Sequence, residues 1–124
     1  MPVDYVVDES RQLVVWTATG ATTDAEWRAC EERSRQDPRC LAIPRVLVDV
    51  SANESVLSRS YVTGLVGRLL ADPHPPGSRW AIVVSQDVSA GVSHQVGGFL
   101  GSIGVDVRVF REREEAERWL EASR

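Results

Sequence analysis

The chain contains no lysine. All 14 of its basic residues are arginine, set against 18 acidic residues for a net charge of −4. A general nucleic-acid binder is ordinarily basic, with clustered Lys and Arg, so this balance argues against nucleic acid as a partner. The all-arginine usage carries no function by itself. No apolar run approaches the roughly 18 residues that a membrane helix needs, so no membrane span is expected. The opening MPVDYVVDES lacks a basic region followed by an apolar core, so it does not read as a secretory signal. A cytoplasmic protein is the expectation.

Cysteine is scarce too. Cys30 and Cys40 form neither a Cys-x-x-Cys pair nor a metal-ligand spacing. They are expected to be small, partly buried hydrophobes. A reactive thiolate needs an electropositive setting, and Glu31 and Glu32 beside Cys30 oppose it. Glycines do cluster late in the chain, at Gly91, Gly97, Gly98, Gly101 and Gly104. They do not form Gly-x-Gly-x-x-Gly directly after a strand, which excludes a dinucleotide site. No cofactor and no metal are expected.

What is present reads as a single α/β domain over residues 1–124, with 43% hydrophobic and 26% charged residues. VDYVVD and LVVWTATG are strand-like runs joined by a short connection, which predicts an antiparallel hairpin. TTDAEWRACEERSRQDP predicts a helix capped by Thr23 or Asp24 and stopped by Pro38. RVLVDV is a third strand. SRSYVTGLVGRLLADP is a second helix, with Tyr61, Leu65, Val66 and Leu69 at helical spacing. RWAIVVS, apolar on both faces, has the mark of a buried parallel strand. DVSAGVSHQVGGFLGSIG predicts a third helix closed by Gly104. VDVRVF alternates and suits a sheet edge. EREEAERWLEA is a closing helix with a narrow stripe of Ala116, Trp119 and Leu120. The order ββαβαβαβα calls for one mostly parallel five-stranded sheet, its first strand antiparallel, with about four helices.

Read in that order, LVVWTATGATTDAEW, DPRCLAIPRVLVDVS, RWAIVVSQDVSAGVSHQ and VDVRVFREREEAERWL resemble the STAS-like group of small bacterial α/β proteins. This is the SpoIIAA-like family, related to anti-sigma-factor antagonists and, more distantly, to lipid-carrying Sec14-type domains. The resemblance spans nearly the whole chain, and its most specific part is the valine-rich strand ending in Phe110 followed by the acidic helix. It implies a fold and a regulatory or binding role, and it brings no catalytic residues. Two positions depart from the pattern. The regulatory antagonists carry an Asp-Ser phosphorylation motif after the strand matching VLVDV, where this chain reads Ser51-Ala52-Asn53-Glu54-Ser55. Close relatives carry Gly-x-x-Arg at the start of the third helix, where this chain has Gly91 and His94.

Candidate site residues follow the strand ends, where open α/β sheets bind ligands. Asp49, near the end of the third strand, is expected chiefly to accept backbone hydrogen bonds from the next loop. Ser58 or Ser60 is expected to cap the second helix, and a phosphate there would also be favoured by free amides. A catalytic Ser-His-Asp set would require Ser51 or Ser85, His94 and Asp49 to converge, and SQDVS lacks the Gly-x-Ser-x-Gly elbow. The candidate binding set is therefore Asp49, Ser51, Asn53, Ser58, Gly91, His94 and Gln95. Trp16, Trp27, Trp80 and Trp119 read as core or core-edge residues. The leading expectation is a non-enzymatic module that binds a protein partner, a homodimer being within this reading. A carrier of a small apolar ligand or lipid is the alternative, and a hydrolase-like enzyme comes third.

Overall fold

The computed structural model describes residues 2–54, 59–72, 74–84 and 104–122. Five strands form one sheet in the order β1-β2-β3-β4-β5: Val3–Asp8, Leu13–Gly20, Arg45–Asn53, Arg79–Val83 and Asp106–Phe110. Four residues separate β1 from β2, and the two pair antiparallel with Tyr5 opposite Trp16. All later neighbours are parallel. The sheet is thus the mixed α/β arrangement that the strand and helix order implied, with alternating β5 at an edge of the described sheet.

Helix α1 spans Asp24–Arg35. Thr23 caps it, its hydroxyl accepting the Glu26 N–H while the Glu26 carboxylate accepts the Thr23 N–H, which closes a capping box. Pro38 does more than stop this helix. It opens a separate short helix, α2 (Pro38–Ala42), capped by Asp37. Proline suits that first helical position, where its missing N–H would have no intrahelical partner. Helix α3 covers Arg59–Ala71, and α4 covers Arg113–Glu121. The expected helix over 87–104 lies outside the described residues, although Gly104 does hold the left-handed φ of +87° expected of it.

Alternation along the strands sorts side chains onto two faces. Leu13, Leu47, Ala81 and Val83 face α4, where Ala116 and Leu120 bury against them and Phe110 and Trp119 close the margin. On the other face, Val3, Ala18, Trp27, Cys30 and Tyr61 pack together under α1 and α3, with Leu65 beside them. Val14, Ile43 and Val46 continue that face towards α2. The side chains of Val66 and Leu69 lie outside the described set. Ala81, Ile82, Val83 and Val84 are all buried, which accounts for the unbroken apolar run of β4. No helix among the described residues is long and apolar enough to cross a membrane.

Candidate functional site

The parallel strands bring the C-terminal ends of β2, β3 and β4 to one end of the sheet. There Asp49 stands between Thr17 and Val83 in register. Its carboxylate is held from below. Oδ1 accepts the backbone N–H of Ser51 at 3.0 Å and the Ser51 hydroxyl at 2.5 Å. Oδ2 lies 3.4 Å from Nη1 of Arg113, the first residue of α4. Asp49 is largely enclosed (13% side-chain exposure), whereas Arg113 is open (45%) and also reaches Glu117 at 3.8 Å. Asp49 thus accepts a backbone hydrogen bond, but from Ser51 within its own strand rather than from the next loop, with the exposed cation as an addition.

The third strand runs further than its apolar core suggested. It continues through Ser51 and Ala52 to Asn53, because β2 extends to Gly20 and supplies partners for Ala52 and Asn53. Ser51 and Asn53 thus belong to a strand rather than to a turn. Between Thr17 and Thr19 the register shifts, with three steps on β3 from Asp49 to Ala52 matched by two on β2. Such a bulge inserts one residue and reverses the alternation beyond it. Simple alternation would put Asn53 on the face of Asp49. Instead its Oδ1 accepts the Thr22 hydroxyl at 2.8 Å, and Thr22 Oγ1 accepts the Trp27 indole N–H at 3.1 Å. The bulge separates Asn53 from the Asp49–Ser51 pair and ties it to the entry of α1.

Of the candidate set, Asp49 and Ser51 meet, and Asn53 is turned away. Ser58, Gly91, His94 and Gln95 lie outside the described residues, as do Ser85, Gly97, Gly98 and Gly101. Ser60 lies within α3 rather than at its cap, because Arg59 before it is already helical. Both thiols are pushed up to about 11 by burial, Cys30 being wholly enclosed. Among the described residues no group of three His, Cys, Asp or Glu side chains is placed to hold a metal ion.

One polar cluster was not anticipated. Glu31 of α1, a buried acid, accepts the Tyr61 hydroxyl at 2.9 Å and is gripped by two N–H groups of Arg68, with Nη2 at 2.9 Å and Nε closer still. Burial, then the hydrogen bond to Glu31, pushes the Tyr61 phenol above its ordinary range. Helical spacing was the available signal. Trp27, Cys30, Glu31 and Ser34 fall on one stripe and all four are buried. At the opposite end of the sheet, a solvent-open hollow of about 170 Å³ is lined by Arg11, Leu13, Arg45, Glu117, Leu120 and Glu121. Its enclosed space is about 10 Å³, room for about one water, far below the ~300–1,000 Å³ typical of ligand pockets.

No family model and no curated protein matches the chain. Among solved structures, it is similar to an uncharacterised protein of the DUF3478 family, with a SpoIIAA-like fold, from Shewanella loihica PV-4. The TM-score is 0.66 and the sequence identity 16%, over 95% of this chain and 93% of that one. The fold is SpoIIAA-like.

Proposed function

We propose that this protein is a non-catalytic regulatory module that binds a partner protein through the polar end of β3. One observation carries this reading. The Asp49 carboxylate and the Ser51 hydroxyl are engaged with each other at 2.5 Å, which makes the strand end a fixed platform. Around it Ala52, Glu54 and Arg113 are exposed. A carboxylate committed to holding its own strand acts as scaffold, and the exposed side chains beside it are the ones a partner would read. The SpoIIAA-like fold supports a binding role of this kind.

Photo-crosslinking tests the proposal. A benzophenone amino acid is placed at Ala52, with an equivalent probe at Leu41 as the control. Leu41 is also exposed but lies on α2, ahead of β3. The expected result, in lysate from the protein's own cells, is a discrete adduct from position 52 that position 41 does not give and that excess unlabelled protein competes away. An adduct of twice the chain mass would identify the partner as a second copy. Equal labelling from both positions would overturn the reading. So would a tightly bound small molecule in the native mass spectrum, which would indicate a carrier.

A further inference from the structure

Among the described residues, Arg11, Arg33, Arg35, Arg39, Arg68 and Arg113 each hold a carboxylate. Arg28, Arg118, Arg79 and Arg108 have no such partner, and the last two share another. Both instead lay their guanidinium groups on one indole, that of Trp119, with Cζ 5.1 Å and 5.2 Å from the ring centroid. The strand register explains the placement. Arg79 opens β4 opposite Asp106, and Arg108 lies two residues further along β5, opposite Ala81. The two arginines therefore stand diagonally on adjacent strands, on the face that α4 covers. Trp119 reaches over them from α4, with its ring 5.7 Å from Phe110. Arg45, beside Arg79 in register, gives its N–H groups to the carbonyls of Leu120 and Arg11, so it adds positive charge without a carboxylate.

Unpaired cations side by side repel, and even Asp106, in register with Arg79 on the same face, makes no ion pair with it. The cation–π contact holds each guanidinium beside the ring without taking up its N–H groups, which keep the planar fork that matches a carboxylate. With parallel strands about 4.8 Å apart and a rise of about 3.3 Å per residue, the two backbone anchors lie about 8 Å apart. Acidic side chains at alternate positions of an extended peptide recur at about 7 Å. We propose that Arg79, Arg108 and Trp119 form a docking platform for an extended acidic segment of a partner protein. Charge complementarity selects the occupant, since two guanidinium forks held on one ring offer separate partners to successive acidic side chains of an extended chain. The platform is separate from the Asp49–Ser51 end of β3 and stands whether or not that end binds anything.

The test uses the full chain labelled with ¹⁵N. A short peptide of alternating Glu and Thr is titrated in, and the Trp119 indole N–H is followed after its assignment with Trp119→Phe. Saturable movement of that resonance is expected, with little or none from the same peptide carrying Gln for Glu. Affinity should fall as salt rises. The double variant Arg79→Gln/Arg108→Gln should bind about tenfold more weakly or worse, because charge pairs set both encounter and retention. If the double variant fails to fold, Arg108→Gln alone carries the comparison, its side chain being exposed. The proposal is overturned by absence of saturation, by equal response to the Gln peptide, or by unchanged affinity in the folded variants. It is also overturned if inorganic phosphate moves the same resonances at equal concentration, which would make the platform a site for small oxyanions.

Discussion

Arg68 on α3 faces Glu31 on α1 through two N–H groups, with Nη2 2.9 Å from Oε1, and this ion pair joins two helices on the same face of the sheet. Removing one partner of an enclosed pair leaves the other charge desolvated, whereas replacing both can be nearly neutral. Arg68→Met should lower stability by about 2 kcal/mol, below the full buried-pair penalty because the arginine is partly exposed. Glu31→Met combined with Arg68→Met should recover part of that loss, with the Tyr61 hydroxyl limiting the recovery. Urea midpoints of the single and double variants decide the matter, and a double variant worse than the sum of its parts would contradict it.

The thiols give an alkaline signature. Burial raises Cys30 and Cys40 from 9.0 to about 11, so the folded state favours the neutral form. Each contributes stability that is full below about pH 9. As pH climbs from about 9 towards 11 the unfolded chain ionises first, and that stability is lost. Tyr61, also raised, pushes in the same direction. Cys30→Ala should flatten the decline while costing on the order of 1 kcal/mol near neutral pH through its small cavity. Thermal melts at several pH values would show it, and rapid alkylation of either thiol at pH 8 would contradict the burial.

At α4, Leu120 is 1% exposed while Trp119 is only partly buried under its two arginines. Leu120→Ala should cost about 3 kcal/mol, as enclosed leucines do. Trp119→Ala should cost about 2 kcal/mol, less than the ~3–5 kcal/mol of a fully enclosed tryptophan. Denaturation midpoints test the order, and a larger loss at Trp119 would mean that the indole anchors the helix more firmly than its exposure implies.

The β3 end separates hydrogen bonding from charge. Asp49→Asn keeps an acceptor for Ser51 and loses only the open contact with Arg113, so stability should fall by about 0.5 kcal/mol or less. Asp49→Ala leaves the Ser51 N–H without its side-chain partner and should cost about 1 kcal/mol or more. Equal losses in chemical denaturation would assign the weight to the charge instead.

Helix α2 was hidden behind a Pro38 that read only as a stop, but the strand succession, helices α1, α3 and α4, the antiparallel first strand, the buried β4, the edge position of β5 and the Thr23 cap were legible in the sequence. Each rests on a local rule: side-chain period, a short connection, or a hydroxyl three residues before a glutamate. Even the buried Glu31 left a trace in the 27–30–31–34 stripe, masked because a charged residue in a charged helix reads as solvated. Its carboxylate is accommodated only because Arg68 and Tyr61 arrive from α3, more than 29 residues away in sequence.

Other features belong to the tertiary structure alone. The length of β3 depends on how far β2 runs beside it, and the direction of Asn53 depends on a bulge created by matching two strands of unequal step. Nothing within RVLVDVSAN encodes either. Likewise Arg79, Arg108 and Trp119 lie in three separate segments, and only the parallel register of β4 with β5 and the docking of α4 put two cations on one ring. Sequence by itself determined the periodicities and caps, because these act between residues a few positions apart. Which polar groups meet was decided by strand register and helix docking, because those set distances between residues that the chain keeps far apart.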